Sequence, residues 1–168
     1  MSLKRLFRVG LLSMLAVVLF SGWSVAAAES AVVKVNTKAR FSPSGVATVS
    51  GTFICPSVGT FTMNGNLQQP VRRRFSIYGT FSKTINCVST SPVKWSIQII
   101  PTAGRFAQGP AAFWGTYNGY YTIRLPDYTP YPPAPNCYYS YWDYNTNSYV
   151  YQCYLSGSFG PKDLTLQR

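Results

Sequence analysis

The sequence predicts an all-β protein built on a disulfide-pinned antiparallel β-sandwich. ATVSGTFIC (Ala47 to Cys55) and FSIYGTFSKTINC (Phe75 to Cys87) each alternate apolar with polar residues and end on a cysteine, the pattern of half-buried strands with a cysteine on the inward face. Trp95 follows in KWSIQII, eight residues after the second cysteine. No stretch beyond Ala28 combines helical periodicity with helix-forming residues, whereas turn signals recur roughly every 8 to 12 residues.

The first residues stand apart from that fold. Lys4, Arg5 and Arg8 give a basic start, VGLLSMLAVVLFSG is a short apolar run, and Ala26-Ala27-Ala28 is the small-residue pattern of a cleavage site. Residues 1–28 are therefore expected to be a cleaved signal peptide, and residues 29–168 one β-sandwich domain, secreted or periplasmic. No later stretch reaches the roughly 18 apolar residues of a membrane span, so the mature chain is expected to have none.

AVVKVNTKARF (Ala31 to Phe41) opens the domain as an alternating strand, with Val33, Val35 and Phe41 on one side and Lys34, Asn36, Lys38 and Arg40 on the other. Ser42 to Gly45 reads as a turn. The next strand points Ala47, Val49, Phe53 and Cys55 inward. GTFTMNGNLQQP buries Phe61, Met63 and Leu67 against outward Thr60, Thr62, Asn64 and Gln68, and Pro70 is expected to stop its pairing. Phe75, Ile77, Phe81, Ile85 and Cys87 then share a face, on which Lys83 is a misfit that belongs near a sheet edge with its stem reaching outward. Val93, Trp95, Ile97 and Ile99 face inward in the strand that follows.

In AAFWGTYNG, Phe113, Trp114 and Tyr117 are expected to serve as core and edge cover, and Asn118-Gly119 reads as a hairpin turn before Tyr121, Ile123 and Leu125. Five prolines in the eleven residues from Pro126 to Asn136 predict an extended connection. CYYSYWDYNTNSYVYQCYL reads as a second hairpin turning near Tyr144 to Thr146, so that residues 126–155 form a Pro/Tyr-rich, disulfide-closed extension. With Cys137 opposite Cys153, Tyr139 should oppose Tyr151 and Tyr141 should oppose Tyr149. Tyr138, Trp142, Val150 and Tyr154 would then take the other face. KDLTLQR reads as a closing strand.

Four cysteines beyond the cleavage site imply two disulfides, and strand neighbourhoods favour Cys55–Cys87 and Cys137–Cys153. In the chain-entropy model the longer loop contributes roughly 3–4 kcal/mol and the shorter roughly 3 kcal/mol. There is no histidine and no CxxC pair, so zinc and other metals or cofactors are not expected. Histidine-dependent triads are ruled out by the same count, and the three acids of the folded domain, Asp127, Asp143 and Asp163, show no pairing that glycoside hydrolysis would use. The expectation is a protein that is not an enzyme.

Removing Lys4, Arg5 and Arg8 from fifteen basic residues leaves twelve against four acids, a net of +8. Such a charge favours polyanions, with nucleic acid bound only nonspecifically. Two candidate ligand-binding features follow. One is the aromatic hairpin, with Tyr138, Tyr139, Tyr141, Trp142, Tyr149, Tyr151 and Tyr154, whose rings and hydroxyls suit sugars or a protein partner. The other is Arg72-Arg73-Arg74, three guanidiniums able to grip phosphate or carboxylate. Together they point to a binding module at the cell envelope or outside it, recognising envelope glycan, anionic polymer or protein. The competing reading is a structural or self-assembling envelope protein with no small ligand.

VSGTFICP, Gln68-Gln69, Cys87, WSIQIIP and GRFAQGPAA together resemble a family of small secreted bacterial proteins whose activity is not established. The resemblance covers about Ala31 to Leu125 and implies an immunoglobulin-like sandwich. It brings no catalytic residues, and the segment from Pro126 to Leu155 has no counterpart in it. Trp95 lies after the second cysteine here, whereas antibody domains place their tryptophan between the two.

Overall fold

A computed structural model describes residues 30–72, 75–127 and 133–168. The expected signal peptide, Arg73, Arg74 and the central prolines of the 126–136 connection lie outside these residues, and of Arg72 only the backbone is described. The chain is all-β, with nine strands and no helix among the described residues: β1 (Val32–Val35), β2 (Lys38–Phe41), β3 (Ala47–Ile54), β4 (Gly59–Arg72), β5 (Phe75–Cys87), β6 (Val93–Ile99), β7 (Gly109–Leu125), β8 (Cys137–Asp143) and β9 (Ser148–Gln167).

The nine strands form one hydrogen-bonded sheet made of two groups whose inward aromatic side chains meet. In the first, β3 pairs with β6 on one side and with β1 and then β2 on the other. In the second the order is β9-β7-β4-β5. β2 links the groups, because it pairs antiparallel with β3 and parallel with the end of β9. The single alternating strand expected from Ala31 to Phe41 is thus broken at Asn36-Thr37, yet its inward parity survives the break, with Ala39 buried. The turn at Ser42 forms as expected, with the Gly45 amide donating to the Ser42 carbonyl.

Aromatic side chains fill the space between the groups. Phe53 of β3 lies 5.2 Å from Phe61 of β4 and meets Tyr117 of β7 edge-on. Phe113 of β7 stacks on Phe81 at 4.8 Å and on Trp95 of β6 at 6.0 Å. Each such pair contributes about 0.5–1.5 kcal/mol beyond its buried area. Trp95 is framework: it is buried, and its indole N–H has no hydrogen-bond partner. The Tyr117 hydroxyl donates to the Ala31 carbonyl at 2.9 Å, anchoring the start of the domain, and burial raises its pKa. Cys55–Cys87 joins the end of β3 to the end of β5 and so ties the two groups together.

Several elements depart from the local sequence pattern. Asn118-Gly119 is not a turn; β7 runs unbroken through it, with Asn118 between Thr62 and Ser156. Gly119 is there for close approach, since a Cβ would land on the Thr60 carbonyl and the Phe61 ring. Pro70 does not end β4, which pairs with β5 as far as Arg72 opposite Phe75. β7 pairing stops at Gln68, so Pro70 is paired on one side only, as an edge proline is. Phe75 keeps the parity of Phe81 but is 70% exposed, because it sits at the hairpin end beyond the opposing group. Lys83 is half-buried on β5, the edge strand, where an inward-leaning charge discourages further pairing.

Candidate functional site

The tyrosine ribbon is built half from the main sheet. β9 is one twenty-residue strand that pairs with β7 along almost its whole length. Its other side carries β8 at the beginning and β2 at the end. The expected appended hairpin is therefore a single added strand, β8, stapled to β9 by Cys137–Cys153. The turn falls at Tyr144–Asn147, where Asn147 adopts φ 49°. The closing strand expected from KDLTLQR is the last part of β9.

Two bulges set which side chains share a face. Cys137 opposes Cys153 and Tyr139 opposes Tyr151, as the sequence predicts. Ser140 is then an extra residue in β8, so Tyr141 opposes Val150 and Trp142 opposes Tyr149. One inserted residue inverts every later side chain, which exchanges the expected positions of Tyr141 and Trp142. The second bulge, at Gly160-Pro161 in β9, does the same: Phe159 is buried before it, and Leu164 and Leu166 after it. Gly160 has φ 83°, a conformation natural to glycine.

The predicted ribbon residues consequently divide between two environments. Tyr139, Trp142, Tyr149 and Tyr151 lie on the disulfide face, where Trp142 and Tyr149 meet at 4.3 Å and Tyr151 is only 1% exposed. The rings of this side pack on one another, although Tyr139 is itself exposed. Tyr138, Tyr141 and Tyr154 lie on the other side and are all exposed. Tyr154 is opposite Tyr120 of β7, with ring centroids 5.3 Å apart, and the Tyr138 hydroxyl donates to Gln152 beside them.

That side continues across β9, β7, β4 and β5 as one face. From Thr122 to Thr116, β7 presents Thr122, Tyr120, Asn118 and Thr116; β9 sets Gln152, Tyr154, Ser156 and Ser158 against them. On the far side of β7, β4 contributes Thr60, Thr62 and Asn64, backed by Asn86, Thr84 and Ser82 of β5. None of these side chains carries a charge. An open depression lined by Thr60, Thr62, Asn118, Tyr120, Thr122, Gln152 and Tyr154 occupies the middle of the face. A second depression, with Trp114 among Asn64, Asn66, Thr116 and Ser158, lies farther along the same strands. The Arg124–Asp143 ion pair, 2.6 Å, bounds the tyrosine end.

No family model, no curated protein and no solved structure matches this chain. The face must therefore be read from its own chemistry. Flat aromatic rings can cover apolar C–H surface, while amides and hydroxyls both donate and accept hydrogen bonds. With no charge to desolvate, the face suits a neutral, hydroxyl-rich ligand.

Tyr120 and Asn118 of β7 join this face although the turn-like Asn118-Gly119 pair hides them in the local sequence pattern. Carrying the period-two alternation through Asn118-Gly119 would have placed both on the outward side with Thr116 and Thr122. The basic candidate is only partly placed: Arg72 ends β4, and Arg73 and Arg74 fall outside the described residues. Among the described residues no three His, Cys, Asp or Glu side chains cluster as metal ligands would, and no helix is long and apolar enough to cross a membrane.

Proposed function

We propose that this protein is an exported, non-enzymatic binding module that recognises neutral glycan through the outward face of β9, β7 and β4. The observation that carries the reading is the exposed Tyr120–Tyr154 pair, with Tyr138 beside it, set in a field of Thr, Asn, Gln and Ser side chains with no charge. Tyrosines would stack on sugar rings, and the surrounding amides would read hydroxyl orientation. An immunoglobulin-like description accords with β2, which pairs with β3 on one side and in parallel with the end of the last strand on the other. Two disulfides accord with an oxidising compartment, and the family resemblance of residues 31–125 points the same way.

The test is binding to a glycan array followed by titration of the best neutral oligosaccharide. Tyr120→Ala and Tyr154→Ala should each weaken binding by roughly 10- to 30-fold, the range of an exposed aromatic hot spot. Tyr139→Ala, exposed but on the opposite, disulfide-bearing side, should leave affinity nearly unchanged. Glycan binding that both platform variants retain would exclude this face. Concentration-dependent mass abolished by the same variants, without glycan binding, would favour the self-assembly reading instead.

A further inference from the structure

The opposite outward face, formed by β1, β2, β3 and β6, carries a different chemistry. Lys34 and Lys94 stand on either side of Thr52, and Arg40 stands opposite Thr48. Lys38 lies two residues before Arg40, on the same side of β2, and all four cations are exposed. Hydroxyl and amide side chains such as Ser50 and Gln98 fill the space between them. None of the four pairs with an acid among the described residues; the ion pair there, Arg124–Asp143, belongs to the other layer. The nearest acidic position along the sheet is Asp163, two residues from the β9 partner of Lys38. The chain's excess positive charge is thus partly sorted onto one side of the molecule, away from the tyrosine face.

The shape of this basic face narrows its partner. Lys34 and Lys94 are separated by two strand spacings, about 10 Å, and Lys34 and Arg40, opposite Thr52 and Thr48, by four residues of strand, about 13 Å. Such a spread of cations over a sheet face fits an array of anionic groups lying in a plane. The face holds no aromatic side chain to stack on bases, as single-stranded nucleic-acid sites do. Its ends instead carry exposed aliphatic residues, Val32 at one and Ile100 at the other, able to enter the headgroup boundary while the cations neutralise charge.

We propose that the β1-β2-β3-β6 face docks on an anionic lipid surface and leaves the tyrosine face turned outward from it. The inference is independent of the glycan reading, since it rests on the other layer. The experiment is co-sedimentation of the full chain with phosphatidylcholine vesicles, with and without phosphatidylglycerol, at rising salt. Phosphatidylglycerol-dependent binding that weakens as salt rises is expected, and Lys34→Gln/Arg40→Gln/Lys94→Gln should reduce it by roughly 100-fold, about 5-fold per cation. All three positions are exposed, and an unchanged thermal midpoint shows that the variant is folded. Tyr120→Ala/Tyr154→Ala should bind the vesicles as the parent does. Retention of vesicle binding by the triple variant, or its loss on changing Arg72, Arg73 and Arg74 instead, would overturn the proposal. Duplex DNA bound through the same three residues as tightly as the vesicles would overturn the assignment to lipid.

Discussion

Gln69 is the residue whose replacement tests the packing of this fold most directly. It is buried on β4, and its amide makes two bonds to one residue: Nε2 donates to the Ala107 carbonyl at 2.7 Å, and Oε1 accepts from the Ala107 amide at 2.9 Å. The pair imitates a strand bridge and holds the segment before β7 against β4, where Phe106 is buried. Gln69→Leu removes both bonds while keeping an apolar stem. Each is worth about 1 kcal/mol net. Ala107 itself is exposed, so water can reach its freed backbone groups and the full penalty of sealed polar atoms is avoided. The expected loss is about 2 kcal/mol. Gln69→Glu should cost more at neutral pH, because a buried carboxylate would face the Ala107 carbonyl. Such a carboxyl has a raised folded pKa, so its deficit should shrink as the pH falls and the protonated acid donates again. Urea denaturation of parent and variants, with the slope held equal, measures both effects. Neighbouring Gln68, which bonds half-buried Ser76 and exposed Tyr78, serves as the control. A Gln69→Leu variant within about 0.5 kcal/mol of the parent, the ordinary range for an inconsequential site, would refute this account.

Two further outcomes concern the ribbon. Replacing Cys137 and Cys153 with Ser removes a crosslink spanning sixteen residues, worth about 3 kcal/mol in the chain-entropy model. Because β8 pairs only with β9, limited proteolysis should cut the 133–147 region first and leave β9 protected by β7; simultaneous cleavage of both strands would contradict that hierarchy. The Asp143 pKa is lowered, chiefly by the Thr146 hydroxyl and also by the Asn145 amide and Arg124. Its contribution to the turn is present above the ordinary carboxylate range and disappears as the pH falls through the lowered folded value. Amide exchange at Asn145 and Thr146 should therefore accelerate, relative to other turns, only in strong acid, and Asp143→Asn should show no such added acceleration.

Much of the architecture is local and was legible in the residues. The alternation of Ala47 to Cys55 and of Val93 to Ile99 assigned the inward faces of β3 and β6, because a strand's side-chain period is fixed at two whatever it pairs with. Both disulfides followed from cysteines placed in matching strand neighbourhoods. Lys83 announced an edge by interrupting an otherwise apolar face.

Pairing partners and bulges are non-local, and there the sequence misled. Asn118-Gly119 has the composition of a turn, yet β4 and β9 hold it straight from both sides, and the glycine serves close packing. Ser140 shifts the register and exchanges Tyr141 with Trp142, a change that no property of serine announces. Strand periodicity and cysteine placement suffice for an all-β, disulfide-bonded chain with Trp95 facing inward. Only the tertiary structure could bring Tyr120 beside Tyr154, thirty-four residues apart, and gather Lys34, Arg40 and Lys94 on the opposite face. A strand's period decides which way a side chain points, whereas its neighbours are decided by register between segments distant in the chain.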